Sequence, residues 1–203
     1  MRDTASHADG FAFGAGVVAG RVHELCGPAR RTAAAMLAGQ AGGDFFWIAP
    51  PQRARETPDP RGLCTFVQPE RMMRILCPSV TDALWAAEEV LRAGVGGLVA
   101  VNLDTPPLLT PVRRLQLAAE AGGRRATAVL LCPGEGGAAG VESRWHVAPD
   151  PGGGWNLRRL RARMAPPAEM HLPGWPASPC AAPPAGASLS GNTADGRCAN
   201  QPG

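Results

Sequence analysis

Apolar positions along the chain follow two periods, and each change of period marks an element boundary. From Ser79 the sequence reads S-V-T-D-A-L-W-A-A-E-E-V-L-R-A-G, with Leu84, Ala87, Glu88 and Leu91 at the intervals of one helix face. Ser79 and Asp82 have capping-box spacing, and Gly94 stands where a helix should stop. Leu98 to Leu103 is a nearly unbroken apolar run, as expected of a strand buried on both faces. Thr110 and Pro111 open a second helix with Val112, Leu115 and Ala119 as its inner stripe and Gly122-Gly123 at its end. Ala126 to Leu131 reads as a second buried strand. Helix, strand, helix and strand joined this closely imply parallel strands with crossover helices. The expectation is an α/β fold.

The pattern extends outward from this centre. Arg21 to Cys26 reads as a strand, Ala29 to Ala38 as an alanine-rich helix after the turn Gly27-Pro28, and Phe45 to Ala49 as a strand of aromatic and β-branched residues. Pro50 to Arg61 is a loop, Gly62 to Gln68 has no clear period, and Met72 to Cys77 reads as a strand. After Cys132 the glycine-rich P-G-E-G-G-A-A-G leads to Glu142–Ala148 and Trp155–Met164. The last segment has the composition of a basic helix or a terminal strand. The short turn before it favours two antiparallel edge strands, with Trp155, Leu157 and Arg159 on one face and Asn156, Arg158 and Leu160 on the other. Residues 1–19 read as a flexible lead-in and 20–165 as one core domain. Residues 166–203, rich in Pro, Ala, Gly and Ser, read as a disordered tail. Trp47, Trp85 and Trp145 are expected in the core.

Composition narrows the chemistry. The chain has 203 residues, enough for one domain with a substantial core, and all 20 of its cationic side chains are arginine. A GC-rich genome accounts for the abundance of Ala, Gly, Pro and Arg. A net charge of +3 is too small to argue nucleic-acid binding from the overall field. The six cysteines form no C-x-x-C pair and no zinc spacing, which fits a reduced compartment and predicts no metal site. Phe11 to Gly20 is short and follows Asp3 and Asp9, unlike a signal peptide, and no run is long enough to span a membrane. A soluble, cytoplasmic protein is expected.

A strand, a glycine turn and a helix raise the question of a phosphate-binding loop. Here the turn is C-G-P-A-R-R-T, from Cys26 to Thr32. The pattern G-x-x-x-x-G-K-[ST] needs a second glycine, a lysine and a hydroxyl. Gly27 and Thr32 remain, the loop between them is too short, and Arg30 or Arg31 supplies a planar guanidinium in place of a point-like ammonium. The expectation is a degenerate remnant that serves structure and binds no cofactor.

The order of segments is specific enough to compare. G-R-V-H-E-L-C-G-P, F-F-W-I-A-P, G-L-C-T-F-V-Q-P-E-R-M-M-R-I-L, D-A-L-W-A-A-E-E-V-L-R, R-R-L-Q-L-A-A-E, E-S-R-W-H-V and W-N-L-R-R-L-R-A-R follow one another between about residues 9 and 165. This order resembles the ImuA family, the RecA-like, SulA-like accessory proteins of bacterial damage-induced mutagenesis. The resemblance implies a RecA-type core with a mostly parallel central sheet, flanking helices and antiparallel C-terminal edge strands. It also implies an SOS-associated role in translesion DNA synthesis, beside an ImuB-like polymerase-related protein, an error-prone replicative polymerase and RecA itself. The protein would be cytoplasmic, and nucleoid-associated when engaged in repair. Against the RecA pattern the lysine is missing before Thr32, the carboxylate after the second strand falls near Pro50, and the magnesium-side Asp falls at Asn102 with Asp104 two residues on. The chain is therefore expected not to hydrolyse ATP, with no catalytic and no metal-binding residue. Two other readings stay open: a SulA-like division inhibitor that binds a tubulin-like filament, and a residual ATP-binding protein.

Function would then lie in docking surfaces. The loop Pro133 to Val141 offers no Arg, Lys or aromatic residue, so it suits a flexible connector better than a DNA contact, and direct DNA binding is expected to be weak or indirect. Arg158, Arg159, Arg161 and Arg163, with Trp155 and Arg144, form the densest basic cluster. A solvated edge, a dock for an acidic partner and a phosphate contact compete there. Arg113 and Arg114, opposite the inner stripe of their helix, are a second candidate contact.

Overall fold

A computed structural model describes residues 16–172. Eight strands form one sheet in the order β3-β2-β4-β5-β1-β6-β7-β8. They are β1 (Val22–Cys26), β2 (Phe45–Ala49), β3 (Met72–Leu76), β4 (Leu98–Asn102), β5 (Thr127–Leu131), β6 (Ser143–Pro149), β7 (Trp155–Ala162) and β8 (Ala168–Leu172). The first six pair in parallel, while β7 runs antiparallel to both β6 and β8. The fold is thus α/β, mostly parallel, with antiparallel pairing confined to the C-terminal strands.

Among the described residues four helices cover the sheet: α1 (Arg30–Ala41), the single turn α2 (Pro60–Leu63), α3 (Val80–Ala93) and α4 (Leu109–Ala121). One core lies under α1 and joins Ala33, Ala34 and Ala38 to Leu25, Trp47, Leu131 and Trp145; the other lies under α3 and α4 and joins Leu91 and Leu115 to Ile48, Val101 and Leu130. With helices on both faces, every residue of β1, β2, β4 and β5 is buried, which is why those segments read as unbroken apolar runs. The sheet's β6–β8 wing is different. Trp145, Val147 and Leu157 point into the α1 core, while Arg144, His146 and Arg158 alternate onto a face that stays partly exposed.

Helix α1 packs on the sheet through an inner face of Ala33, Ala34 and Ala38 around one larger side chain, Leu37. Gly39 brings α1 close to the segment after α2: a methyl group there would lie 2.0 Å from the Phe66 carbonyl oxygen. Helix α3 starts as its spacing predicts, with Ser79 Oγ accepting from the Asp82 N–H at 3.1 Å, and stops at Gly94 in the left-handed conformation.

Four expectations need correction. The core does not end at residue 165, because β8 pairs with β7 from Trp155↔Leu172 to Arg159↔Ala168. Nor does it begin at residue 20: Val17 is fully buried, and the Gly16 carbonyl accepts from Ser143 Oγ at 3.0 Å. Trp85 is exposed, lying off the inner stripe of α3, whereas Trp47 and Trp145 are buried. The loop after β5, expected as a flexible connector, is tied down by hydrogen bonds at Gly137 and Ala138. The rest of the expected lead-in and tail lies outside the described residues. Among those residues, no helix is long and apolar enough to cross a membrane.

Candidate functional site

The C-terminal ends of β1, β2 and β4 meet the N-terminus of α1. A helix N-terminus carries partial positive charge and unpaired N–H groups. In α1 the first two residues are Arg30 and Arg31, the first turn holds no acidic residue, and no side chain caps it. This combination calls for an anion. Glu56, from the 3₁₀ turn Pro51–Glu56 that follows β2, supplies one. Its carboxylate takes hydrogen bonds from Arg31 at 2.8 Å, Arg53 at 2.6 Å and the Asn102 amide at 3.0 Å, with an Arg30 nitrogen 3.9 Å away. Arg53 Nε also lies 2.6 Å from Asp104, as an ion pair and not an aligned hydrogen bond. Burial opposes ionisation of Glu56, but the hydrogen bonds from Asn102 and Arg53 and the charge of Arg31 outweigh it and hold the carboxyl below its usual range.

All four residues of the expected remnant thus sit at one place, yet its cations are already engaged. The turn itself is closed from the side. Gly27 has φ +83°, and a methyl group on it would lie 2.6 Å from the Val147 carbonyl oxygen and 2.8 Å from His146 Nε2. Its N–H donates to the Gly134 carbonyl at 2.9 Å, and the Ala29 N–H to Val147 at 3.0 Å. Thr32 borders a shallow recess between α1 and α2, also lined by Arg31, Arg55, Asp59 and Phe66. Asn102, where the RecA pattern has a magnesium-side Asp, is fully buried and spends its amide on Glu56, leaving its Oδ1 without a hydrogen-bond partner.

A second carboxylate, Glu24 on β1, is completely buried. It accepts from the Gly137 N–H at 2.8 Å and the Ala138 N–H at 3.0 Å, and pairs with Arg144 of β6, which also donates to the Ala138 carbonyl at 3.0 Å. This arrangement fixes the loop after β5. Glu135 of the same loop contacts Arg158 at 3.1 Å and lies 3.5 Å from His146. Neighbouring thiols stay protonated. Burial, with Glu24 next in effect, pushes Cys26 up to about 12 and also raises Cys132, so neither thiol is a nucleophile near neutral pH.

The predicted contact residues do not form one surface. Arg144 is mostly buried and committed to Glu24; Arg158 pairs with Glu135 on the same side of the sheet. On the opposite side Arg159 stacks over Trp145, 5.5 Å from the ring centroid, and donates to the Pro166 carbonyl at 3.0 Å, while Trp155 packs against the α1 core. The expected alternation along β7 breaks between Arg159, paired with Trp145, and Arg161, paired with Arg144, leaving Leu160 as the extra residue of a bulge. Arg161 and Arg163 remain exposed without an ion pair among the described residues. Arg113 and Arg114 lie apart from this set, on α4; Arg114 pairs with Glu88 at 2.7 Å.

Sequence reasoning missed Glu24 and Glu56 as organising groups. Glu24 carried one signal, a charged residue inside an otherwise apolar strand. Glu56 carried none, because its partners come from three separate segments.

No protein-family model matches the chain, and no curated protein matches it. Among solved structures, SulA from Pseudomonas aeruginosa overlays with a TM-score of 0.43 at 20% identity, covering 56% of this chain and 98% of that one. An overlay of that quality assigns this chain neither a family nor a partner.

Proposed function

We propose that this chain is a non-catalytic, RecA-like accessory protein of damage-induced mutagenesis that acts by docking on other proteins. One observation carries the non-catalytic part: the carboxylate of Glu56 occupies the cations that a triphosphate would need. Arg31, Arg53 and the Asn102 amide all donate to it. A nucleotide would have to displace Glu56 and then face Asp104 at the same edge, with no lysine in the sequence to meet its β- and γ-phosphates. The resemblance to the ImuA family supports the rest of the reading. On it the partners are an ImuB-like polymerase-related protein, RecA and an error-prone replicative polymerase, bound through protein surfaces with DNA contacted weakly or through them.

The purified chain is expected to show no ATP turnover above a no-protein blank and no saturable binding of a fluorescent ATP analogue at millimolar concentration with magnesium. Capture of the tagged chain from DNA-damaged cells should enrich a polymerase-like partner or RecA. Measurable turnover would make this an enzyme. Enrichment of neither protein would remove the mutagenesis role while leaving the plugged site in place.

A further inference from the structure

The two ends of the sheet differ. β3 closes one end and β8 the other, and among the described residues each is paired on one side only. An edge strand carries a row of N–H and C=O groups without partners, which sheets commonly guard with a basic side chain or a proline. β3 has Arg74 at its centre. β8 reads Ala168-Glu169-Met170-His171-Leu172, with a carboxylate but no arginine, lysine or proline inside it. Pro166 and Pro167 stand just before it and Pro173 just after, so the stretch open to pairing is bounded at both ends.

The strand is fixed in place from within. Arg159, seated over Trp145, donates to the Pro166 carbonyl at 3.0 Å and holds the connection from β7. Met170 and Leu172, with Trp155, pack against the α1 core and remain partly exposed. Glu169 and His171 alternate onto the other face, and both are exposed. Glu169 has no ion pair or hydrogen bond among the described residues. His171 Nδ1 lies 3.2 Å from Asn156 Oδ1 and 3.8 Å from Asp150, which leaves Nε2 for a partner.

The order of residues in β8 is self-complementary. Set antiparallel to itself about Met170, the strand places Glu169 opposite His171 twice, Leu172 opposite Ala168 twice, and Met170 opposite Met170. Carboxylate meets imidazole, the long Leu172 meets the smallest side chain of the strand, and the apolar faces of both copies stay on one side. A slip of one residue would set the apolar face of one copy against the polar face of the other. A slip of two would oppose Glu169 to Glu169 or His171 to His171, and would bring a proline into the pairing. One register thus suits all five positions. β3 offers no such match, since Arg74 would oppose Arg74 about its centre.

We infer that β8 is a self-association edge: two copies of this chain pair β8 to β8, antiparallel and centred on Met170, and join their sheets into one. The contact is isologous, so it closes at two copies. Five residues on each side make a small interface, and the dimer is reversible, with a dissociation constant on the order of 10 μM. This goes beyond the docking reading above and does not depend on it.

Sedimentation velocity on the full chain in reducing buffer, from about 1 to about 200 μM, should show monomer giving way to dimer. Glu169→Lys sets an ammonium against His171 at both ends of the pairing and should weaken the dimer about tenfold. Adding His171→Glu restores opposite signs and should bring the dimer back to within about threefold of wild type. The thermal midpoint of Glu169→Lys should match that of the wild type, because the side chain is exposed and unpaired among the described residues. A chain that stays monomeric at the highest concentration overturns the inference. So does a dimer indifferent to Glu169→Lys, or one that the second change fails to rescue, since either must use another surface. Growth past two copies overturns the closed, two-fold pairing.

Discussion

Glu24 and Glu56 are two carboxylates near one end of the same sheet, each gathering arginine and polar partners. Glu24 sits on β1 with no exposed surface, and its partners are one guanidinium and two backbone N–H groups from a loop more than a hundred residues away in sequence. Glu56 comes from a surface 3₁₀ turn, remains partly exposed, and meets two arginines and an amide. The first holds the architecture: without it a buried cation and a loop lose their anchor. The second neutralises a surface that would otherwise attract anions. Burial, more than the number of partners, separates the two roles.

The largest expected effect is at the buried site. Glu24→Ala strands Arg144 and unpairs the Gly137 and Ala138 amides, and should cost about 3–5 kcal/mol in urea denaturation. Arg144→Ala should cost a similar amount, and the double variant less than the sum. An intact loop and full stability in Glu24→Ala would show that the pair is not structural.

His23, beside Glu24 on β1, gives the next effect. Its Nε2–H donates to the Val18 carbonyl at 2.9 Å, and its Nδ1 lies 2.7 Å from Ser143 Oγ. Burial lowers its pKa from 6.5 to about 4. Between those values the unfolded chain binds a proton that the folded chain does not, so stability falls as pH falls from 6.5 toward 4, by roughly 3 kcal/mol in all. His23→Gln should flatten this acid limb, measured by denaturation at a series of pH values.

Glu56→Ala is expected to cost less, about 1–2 kcal/mol, because its partners can turn to water. Its signature lies elsewhere. Inorganic phosphate should raise the thermal midpoint of this variant and leave the wild type unmoved, since Arg30 and Arg31 would be left without their carboxylate while Arg53 keeps Asp104. The pH sign follows from the lowered pKa. The contribution of Glu56 is complete above its ordinary value of 4.5 and is lost as pH drops through the lower folded value, so Glu56→Gln should remove that loss. Smallest of all, Arg161→Ala and Arg163→Ala should change stability by no more than about 0.5 kcal/mol, as both side chains are exposed and have no ion pair among the described residues.

Much of the fold was legible because local signals agreed with one another. Phe45–Ala49 was bounded by its own composition, and the Ser79 cap and Gly94 stop framed α3 from both ends. What escaped depended on distant partners. β8 has the polar, proline-flanked composition of a tail and becomes a strand only because β7 presents it an edge. Trp85, expected in the core, lies outside it, and its offset from Ala83 and Ala87 along the helix is the signal that separates it from their face. Of the candidate site, Gly27, Arg30, Arg31 and Thr32 were found from their turn; Glu56 was not, because a 3₁₀ segment has no period to read and its partners span α1, β4 and its own turn.

Helix α1 places a limit on how this chain can change. The abundance of alanine looks like the residue of a GC-rich genome, yet on the inner side of this one helix the small residues around Leu37 limit how far the two layers can part. Ala33, Ala34, Ala38 and Gly39 lie where larger side chains would lift the helix and carry Arg30 and Arg31 away from Glu56. Codon bias can therefore drift freely over most of the surface, but on that narrow strip the spacing of two layers and the closure of the anion site are the same requirement.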